Sequence, residues 1–511
     1  MSTDERAADP HATGPASRGT LPRLDLPVLG AIFVASAAAL AFGASRYHLF
    51  GDELYFIGAG RHLSVSYADQ GPVLPLLARV VTTLGASGEP GIGLLLFRLP
   101  AVLVTLAGLV FAALIAREMG GARLAQGLAA AAYATSTFLL LQGELLATNT
   151  IDTPLWVAIT WCVVRWVRTR RDSLLLVAGV LTAVDMQVKW LIPVFWVCVA
   201  GAALADGPRD LLRRPLLWVG GAIAVVATVP ALVWQAGNGW PYLQLTSQVA
   251  DEMQYVGGRW LFVPIMLVMA GVLGLALVLF GLWALARSPR LRAYRFLGIA
   301  FVAMVVLFVI TGGRPYYPAA VFPVLIAAGA VEFAAVRRTW VRWLAVPVAA
   351  VSAVVLVVSL PFTPESDIAP PTSTLDAGTK ISVFGQFGWT ELASATESAI
   401  EALPAADRPQ AVVTESYWQA GALEHYGRGL PPVYSASRGY GYLGRPADAA
   451  TTVLWVGSRD SRDTDSTCRD ARPLRDVSPR LGFPGGSADL QLRLCHVRAP
   501  WSQLWEGLRH M

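Results

Sequence analysis

The chain has 511 residues, 55% of them hydrophobic and 15% charged, with a mean hydropathy of +0.51; soluble domains run about 45–50% apolar and about 25% charged, so a cytosolic enzyme is excluded. The net charge of +5 and the pI near 9.1 do not point to nucleic acid, because the arginines fall in short clusters between apolar runs rather than along one stripe. Nearly all the long apolar runs lie within residues 28–361, and residues 362–511 have the composition of an ordinary globular domain.

The polar stretch 1–27 shows no small-residue cleavage pattern, so the first apolar run is read as a retained span and the tail as a disordered cytoplasmic segment. A transmembrane helix needs roughly 20 mostly apolar residues. Runs of that kind begin near Pro27, Gly93, Leu124, Thr153, Ser173, Leu191, Leu216, Trp260, Phe296, Tyr317 and Trp343, which predicts eleven spans. With the N-terminus inside, the inner segments carry eighteen arginines, from Arg6, Arg18 and Arg23 to Arg337, Arg338 and Arg342. The outer ones carry six cations, Arg46, Arg61, Arg79, Lys189, Arg259 and Arg314, as the positive-inside rule requires. An odd span count puts residues 362–511 outside the cytoplasm, beside the loops that hold Asp52, Glu53, Asp69, Glu144, Asp152, Asp251 and Glu252. The stretch Asp185 to Trp190 is read as a tight outer turn, since a single kinked span there would put every later arginine cluster on the wrong side.

The C-terminal part is expected to be a small α/β domain, joined through the Pro-rich segment 361–374. Its periods alternate: strand-like KISVFGQF, helix-like WTELASATESAIEAL, strand QAVVTE, helix SYWQAGALEHYG, then strands LPPVYS, TTVLWVGS and DLQLRLCHV. Cys162 and Cys198 lie within spans and are read as small hydrophobes. Cys468 and Cys495 are expected to form a disulfide, closing a loop of about 28 residues and stabilising the domain by about 3–4 kcal/mol; the alternative is two inert thiols, and neither a CxxC nor a close His pair suggests zinc. In the terminal APWSQLWEGLRH, the residues Trp501, Leu504, Trp505 and Leu508 make one apolar stripe. It docks either on the domain's own core or on the outer leaflet.

The first external loop, 47–93, carries the densest polar pattern. Asp52 and Glu53 stand side by side after the first span, GAGRHL reads as a short interfacial helix, and Asp69-Gln70-Gly71-Pro72 makes a second polar turn. Carboxylates at a membrane edge lose solvation and are usually paired or functional; a solvated loop face is the alternative. Further landmarks are ELLATNTIDTPLWV at 144–157, Lys189 after the fifth span, GGRPYYPAAVFPVL at 312–325 and ESYWQAGALEHYGRGLPPVYS at 415–435.

In order, spacing and sidedness these motifs resemble the glycosyltransferase C superfamily, and within it glycosyltransferase family 39, the relatives of protein O-mannosyltransferases and bacterial aminoarabinose transferases. The resemblance covers nearly the whole chain, with one departure: many relatives have Pro-Pro where this chain has Gly71-Pro72. It implies a polytopic α-helical membrane enzyme with a polyprenyl-phosphate sugar as donor. Transfer would be to a hydroxyl of a protein, lipid or envelope glycan on the outer face, inverting at the anomeric carbon. A phosphate-linked sugar already has a good leaving group, so one carboxylate base suffices. Asp52 is the candidate base; Glu53 orients the acceptor or pairs with a cation, and the two can exchange roles. Lys189, the only lysine of the membrane part, Arg259 and Arg314 stand where a leaving phosphate needs positive charge, with Tyr316 and Tyr317 as donors; membrane anchoring is the alternative for each. Tyr55, Asp69, Gln70, Asn149 and Asp152 are expected to line the substrate cavity, although Asp152 also reads as the N-cap of a helix beginning at Thr153. A divalent metal between Asp52 and Asp152 is left open, because the spacing specifies no ligand set. Two rival classes are a secondary transporter, against which the charges keep to the outer edge rather than the midplane, and a non-catalytic scaffold of envelope assembly.

Overall fold

A computed structural model describes residues 21–255 and 258–511. Arg6, Arg18 and most of the expected 1–27 tail, and the side chains of Asp251 and Glu252, lie outside the described residues. The first half is helical, with α1 (Leu26–Ala44), α2 (Gly51–Arg61), α3 (Val73–Thr83), α4 (Ile92–Glu118), α5 (Arg123–Ala134), α6 (Thr148–Thr169), α7 (Ser173–Asp185), α8 (Ile192–Asp206) and α9 (Pro215–Gly237). It continues through α10 (Pro241–Tyr255), α11 (Gly258–Met269), α12 (Gly271–Arg287), α13 (Arg295–Thr311), α14 (Phe322–Ala334), α15 (Thr339–Trp343) and α16 (Ala345–Ser359). Many of these helices leave large apolar side chains exposed, Val226 and Val358 among them, as lipid-facing helices do. The chain is a multi-pass membrane protein.

Every predicted apolar run coincides with a helical segment, but the count of eleven spans is not confirmed by helix length. Among the described residues, six segments are long and apolar enough to cross a membrane, or seven if α11 and α12, bent by 109°, form one broken span. Helix α5 has only 12 residues. It stops where Ser136 turns the chain and donates its hydroxyl to the Met269 carbonyl at 2.7 Å, at the α11–α12 bend. Gly271 holds that bend with φ +72°, and a Cβ there would stand 2.6 Å from the Thr135 carbonyl oxygen, so the two breaks brace each other. Helices α7 and α8, of 13 and 15 residues, are shortened by the turn between them. In it the backbone N–H groups of Val188 and Lys189 both donate to the Asp185 carbonyl at 2.8 Å, as the tight-turn reading requires.

The C-terminal part adds α17 (Thr374–Thr379), α18 (Ile381–Phe384), α19 (Trp389–Glu401), α20 (Tyr417–Tyr426), α21 (Arg462–Thr467) and α22 (Trp501–Leu508) around five strands. These are β1 (Ala411–Thr414), β2 (Val433–Ser435), β3 (Thr452–Gly457), β4 (Cys468–Val477) and β5 (Leu490–Val497), in the order β2-β1-β3-β5-β4. The β2-β1-β3 pairs are parallel and the rest antiparallel. Alternate residues of a strand face opposite ways. Val412, Leu454, Leu490 and Leu492 pack with α19, α20 and the membrane part's Leu54, Phe97 and Ile151 in one continuous core. Val413, Val453 and Trp455 pack with Trp501, Trp505 and Leu508 on the other face, so the terminal helix docks on its own domain.

Two elements differ from expectation. KISVFGQF is helical rather than a strand: Phe384 and Phe387 are buried, and the Gly385 carbonyl accepts from Gly51 N–H at 3.1 Å, which draws the segment onto the start of α2 and away from the sheet. Strand β4, CRDARPLRDV, has little apolar alternation because it is an edge strand guarded by charges and Pro473.

Candidate active site at the seam between the two parts

Helix α2 begins directly after α1, and its first turn sets two carboxylates on different tasks. Glu53 is fully buried. One oxygen accepts from Phe50 N–H at 2.8 Å, capping the helix, and the other from Leu146 N–H at 2.8 Å. The equally buried Arg98 of α4 grips both oxygens, Nε at 2.8 Å and Nη2 at 2.7 Å. The same guanidinium donates to the carbonyls of Ala44, Arg46 and His48 and to the Gln386 side chain. Glu53 thus pairs with a cation and does not line the cavity. Arg98 had a signal in the sequence, a lone arginine inside an apolar run, and that signal belongs to a partner for Glu53 rather than to a substrate.

Asp52, one residue earlier, faces a cavity of about 680 Å³ that lies between the membrane part and the C-terminal domain. From the first loop Tyr55, Asp69 and Gln70 join it; from the other loops come Asn149, Lys189, Arg314, Tyr316 and Tyr317. The cavity therefore gathers nine of the twelve residues to which a catalytic, phosphate-binding or cavity position was assigned. Tyr55 donates to Asp69 Oδ1 at 2.7 Å. Burial pushes the Asp69 carboxyl above its ordinary range, against the pull of the Tyr55 hydroxyl and the Arg438 guanidinium. The Lys189 ammonium donates to Asn149 Oδ1 at 3.0 Å and stands 4.4 Å from the Tyr317 ring centroid and 5.1 Å from that of Tyr316. Gln70 is 4% exposed and lies beside the Tyr55 hydroxyl, and among the described residues neither polar atom of its amide meets a partner in hydrogen-bond geometry.

Gly71 accounts for the departure from Pro-Pro. A Cβ there would stand 2.0 Å from the Gln187 carbonyl oxygen, which also accepts from Val73 N–H at 3.2 Å, so the polar turn is pressed against the α7–α8 turn that carries Lys189.

Three of the assigned residues are off the cavity wall: Glu53, Asp152 and Arg259. Arg259 is exposed and donates to the Ile310 carbonyl at 3.2 Å. Asp152 is not an N-cap, because α6 starts at Thr148; it is buried, accepts from Trp156 Nε1 at 3.1 Å, and neighbours Asp185 and Lys189. Among the described residues no group of three or more His, Cys, Asp or Glu is placed to hold a metal ion. Cys468 and Cys495 are joined in a disulfide, and Cys162 and Cys198 are buried free thiols.

Of the cavity residues that sequence reasoning left without a role, some belong to the membrane part, Phe56 and Gln142 among them, and others to the C-terminal domain. Tyr417, Trp418 and Arg438 line the cavity. Tyr417 and Trp418 fall in a quoted motif, but nothing in a linear pattern tells that a helix 365 residues on reaches back to Asp52.

Comparison with known proteins agrees with this architecture. Residues 69–234 match the family described as dolichyl-phosphate-mannose-protein mannosyltransferase. The structure of ArnT from Cupriavidus metallidurans in the apo state is similar over 91% of this chain and 97% of that one, at 16% identity and a TM-score of 0.59. The same protein bound to undecaprenyl phosphate covers the same shares at 17% identity and a TM-score of 0.54. No curated protein matches the sequence. The resemblance to glycosyltransferase family 39 is borne out, and the fold is that of ArnT.

Proposed function

We propose that this chain, a glycosyltransferase C-type membrane protein of the family 39 kind, transfers a sugar from a polyprenyl-phosphate carrier to a hydroxyl acceptor on the outer face of the membrane. The observation that carries the reading is one cavity bounded by a carboxylate, Asp52, and by the cations Lys189 and Arg314. Asp52 takes the proton of the acceptor hydroxyl as that oxygen attacks the anomeric carbon. The bond from that carbon to the phosphate oxygen breaks on the opposite side, which inverts the configuration. The polyprenyl phosphate leaves with one more negative charge, and Lys189 and Arg314, with the hydroxyls of Tyr316 and Tyr317, meet it in a partly dry site where fixed charges act strongly. That ArnT is described with undecaprenyl phosphate bound supports a carrier of this class. Gln70, whose buried amide beside the Tyr55 hydroxyl has no partner in hydrogen-bond geometry among the described residues, suits a sugar or acceptor hydroxyl, which both donates and accepts.

The charge distribution supports the outward placement. The cavity is at the start of α6, while its far end, 22 residues on and about 33 Å away, has Arg168 paired with Glu118 at 2.6 Å. Close by, Arg170 and Arg214 share Asp210. The arginine-rich end is assigned to the cytoplasm.

The test is turnover of a panel of polyprenyl-phosphate sugars by the purified full chain, with Asp52→Asn alongside. The wild type is expected to release polyprenyl phosphate with at least one donor, and Asp52→Asn to lose that activity by a factor of about 10³ or more while remaining folded. Undiminished turnover by Asp52→Asn would refute the base.

A further inference from the structure

The external face of Asp52 is not finished by the membrane part. Tyr417 Oη and Trp418 Nε1, at the start of α20, both donate to Asp52 Oδ1, each at 2.8 Å. Among the described residues Oδ2 receives no donor, and Asp52 borders the cavity. The two donors are held in place from behind. Tyr417 and Trp418 are 9% and 8% exposed; the Trp418 ring packs edge-on against Phe50 and Phe483, and the Arg438 guanidinium lies 5.1 Å from the Tyr417 ring centroid. Burial first, and then the charge of Asp52, push the Tyr417 hydroxyl well above its ordinary range, so it stays protonated and able to donate.

The approach of α20 to α2 is built into the sequence as missing side chains. A Cβ on Gly51 would fall 2.2 Å from the Trp418 ring and one on Gly421 2.8 Å from the Leu54 backbone; in the separate turn at 438–442, one on Gly439 would fall 1.7 Å from the Tyr55 hydroxyl. Close approach of the two helices is what brings two ring donors within reach of one oxygen.

We infer that the C-terminal domain supplies the positioning residues of the catalytic base: Tyr417 and Trp418 hold Asp52 by one oxygen and turn the other toward the acceptor hydroxyl. The inference rests on the reading of Asp52 as that base. The other groups facing Asp52 are Asp69 and Tyr55 from the membrane part and Arg438 from the C-terminal domain.

Tyr417→Phe and Trp418→Phe each remove one donor and keep an aromatic ring. In the full chain, with a donor sugar that the wild type turns over, each is expected to lower kcat about tenfold or more with KM for the donor within about twofold. The double variant is expected to lower kcat further, again with KM for the donor little changed. Simple damage to folding lowers the amount of donor bound per chain at saturation along with turnover, whereas loss of positioning leaves the bound amount unchanged. An unchanged kcat in both single variants, with Asp52→Asn inactive, would overturn the positioning role and leave the base intact; activity in Asp52→Asn would overturn the base itself. If Trp418→Phe does not fold, Tyr417→Phe, which differs by one oxygen atom, decides alone.

Discussion

At the scale of single residues, neighbouring carboxylates have been separated by their surroundings. Glu53 has an arginine and two backbone N–H groups and no solvent; Asp52 has two ring donors and an open cavity. Removing one partner of a buried ion pair leaves the other uncompensated and costs about 3–5 kcal/mol. Glu53→Gln is therefore expected to lower the thermal unfolding temperature of the purified protein markedly, whereas Asp52→Asn leaves it nearly unchanged; equal unfolding temperatures would mean that Glu53 does not hold the loop. In the sequence the pair is visible as a pair, but which member faces the cavity is decided by Arg98, which stands 45 residues later. Lys189 was legible because a lone lysine among arginines at a membrane edge is conspicuous. Asp185 was not, since a tight turn explains a polar residue without further meaning.

At the scale of elements, the helices were read well where an apolar run ends in a charge cluster and badly where a neighbour ends the helix. Helix α5 stops at a bend in α11–α12, a contact without local sequence signature. KISVFGQF has the composition of a strand and becomes helical because its buried rings are needed at the start of α2. Strand β4 has the composition of a loop and is a strand because β5 offers it an edge. The α2–α20 contact depends on glycines, and here the space can be tested. Gly421→Ala places a methyl group against the Leu54 backbone, which cannot yield, and is expected to reduce both thermal stability and turnover. Gly507→Ala, in the exposed part of α22 with nothing within 4 Å of the added carbon, is the control, expected to be neutral or to stabilise by about 0.5–1 kcal/mol. Equal effects of the two would remove close packing as the reason for Gly421.

At the scale of the whole molecule, sidedness organises everything else. A cysteine placed at Ser366 is expected to react with a membrane-impermeant maleimide on intact cells, and one placed at Arg290 only after permeabilisation; the native free thiols are buried and the other pair is oxidised. Labelling of the Arg290 position in intact cells would invert the topology. The charge asymmetry, the helical membrane part and the α/β tail were all legible, because each is written as a periodicity or a count. The cavity's roof was not, because it is made by juxtaposing segments that composition treats as separate domains.

That roof has a consequence for biogenesis. Gln386 reaches Arg98 across 288 residues and Trp418 reaches Asp52 across 366, so a nascent chain that has inserted every span still lacks one wall of its site. On the proposed function, the chain is a half-site until residues 362–511 have folded against the membrane part, because before then Asp52 lacks both of its ring donors.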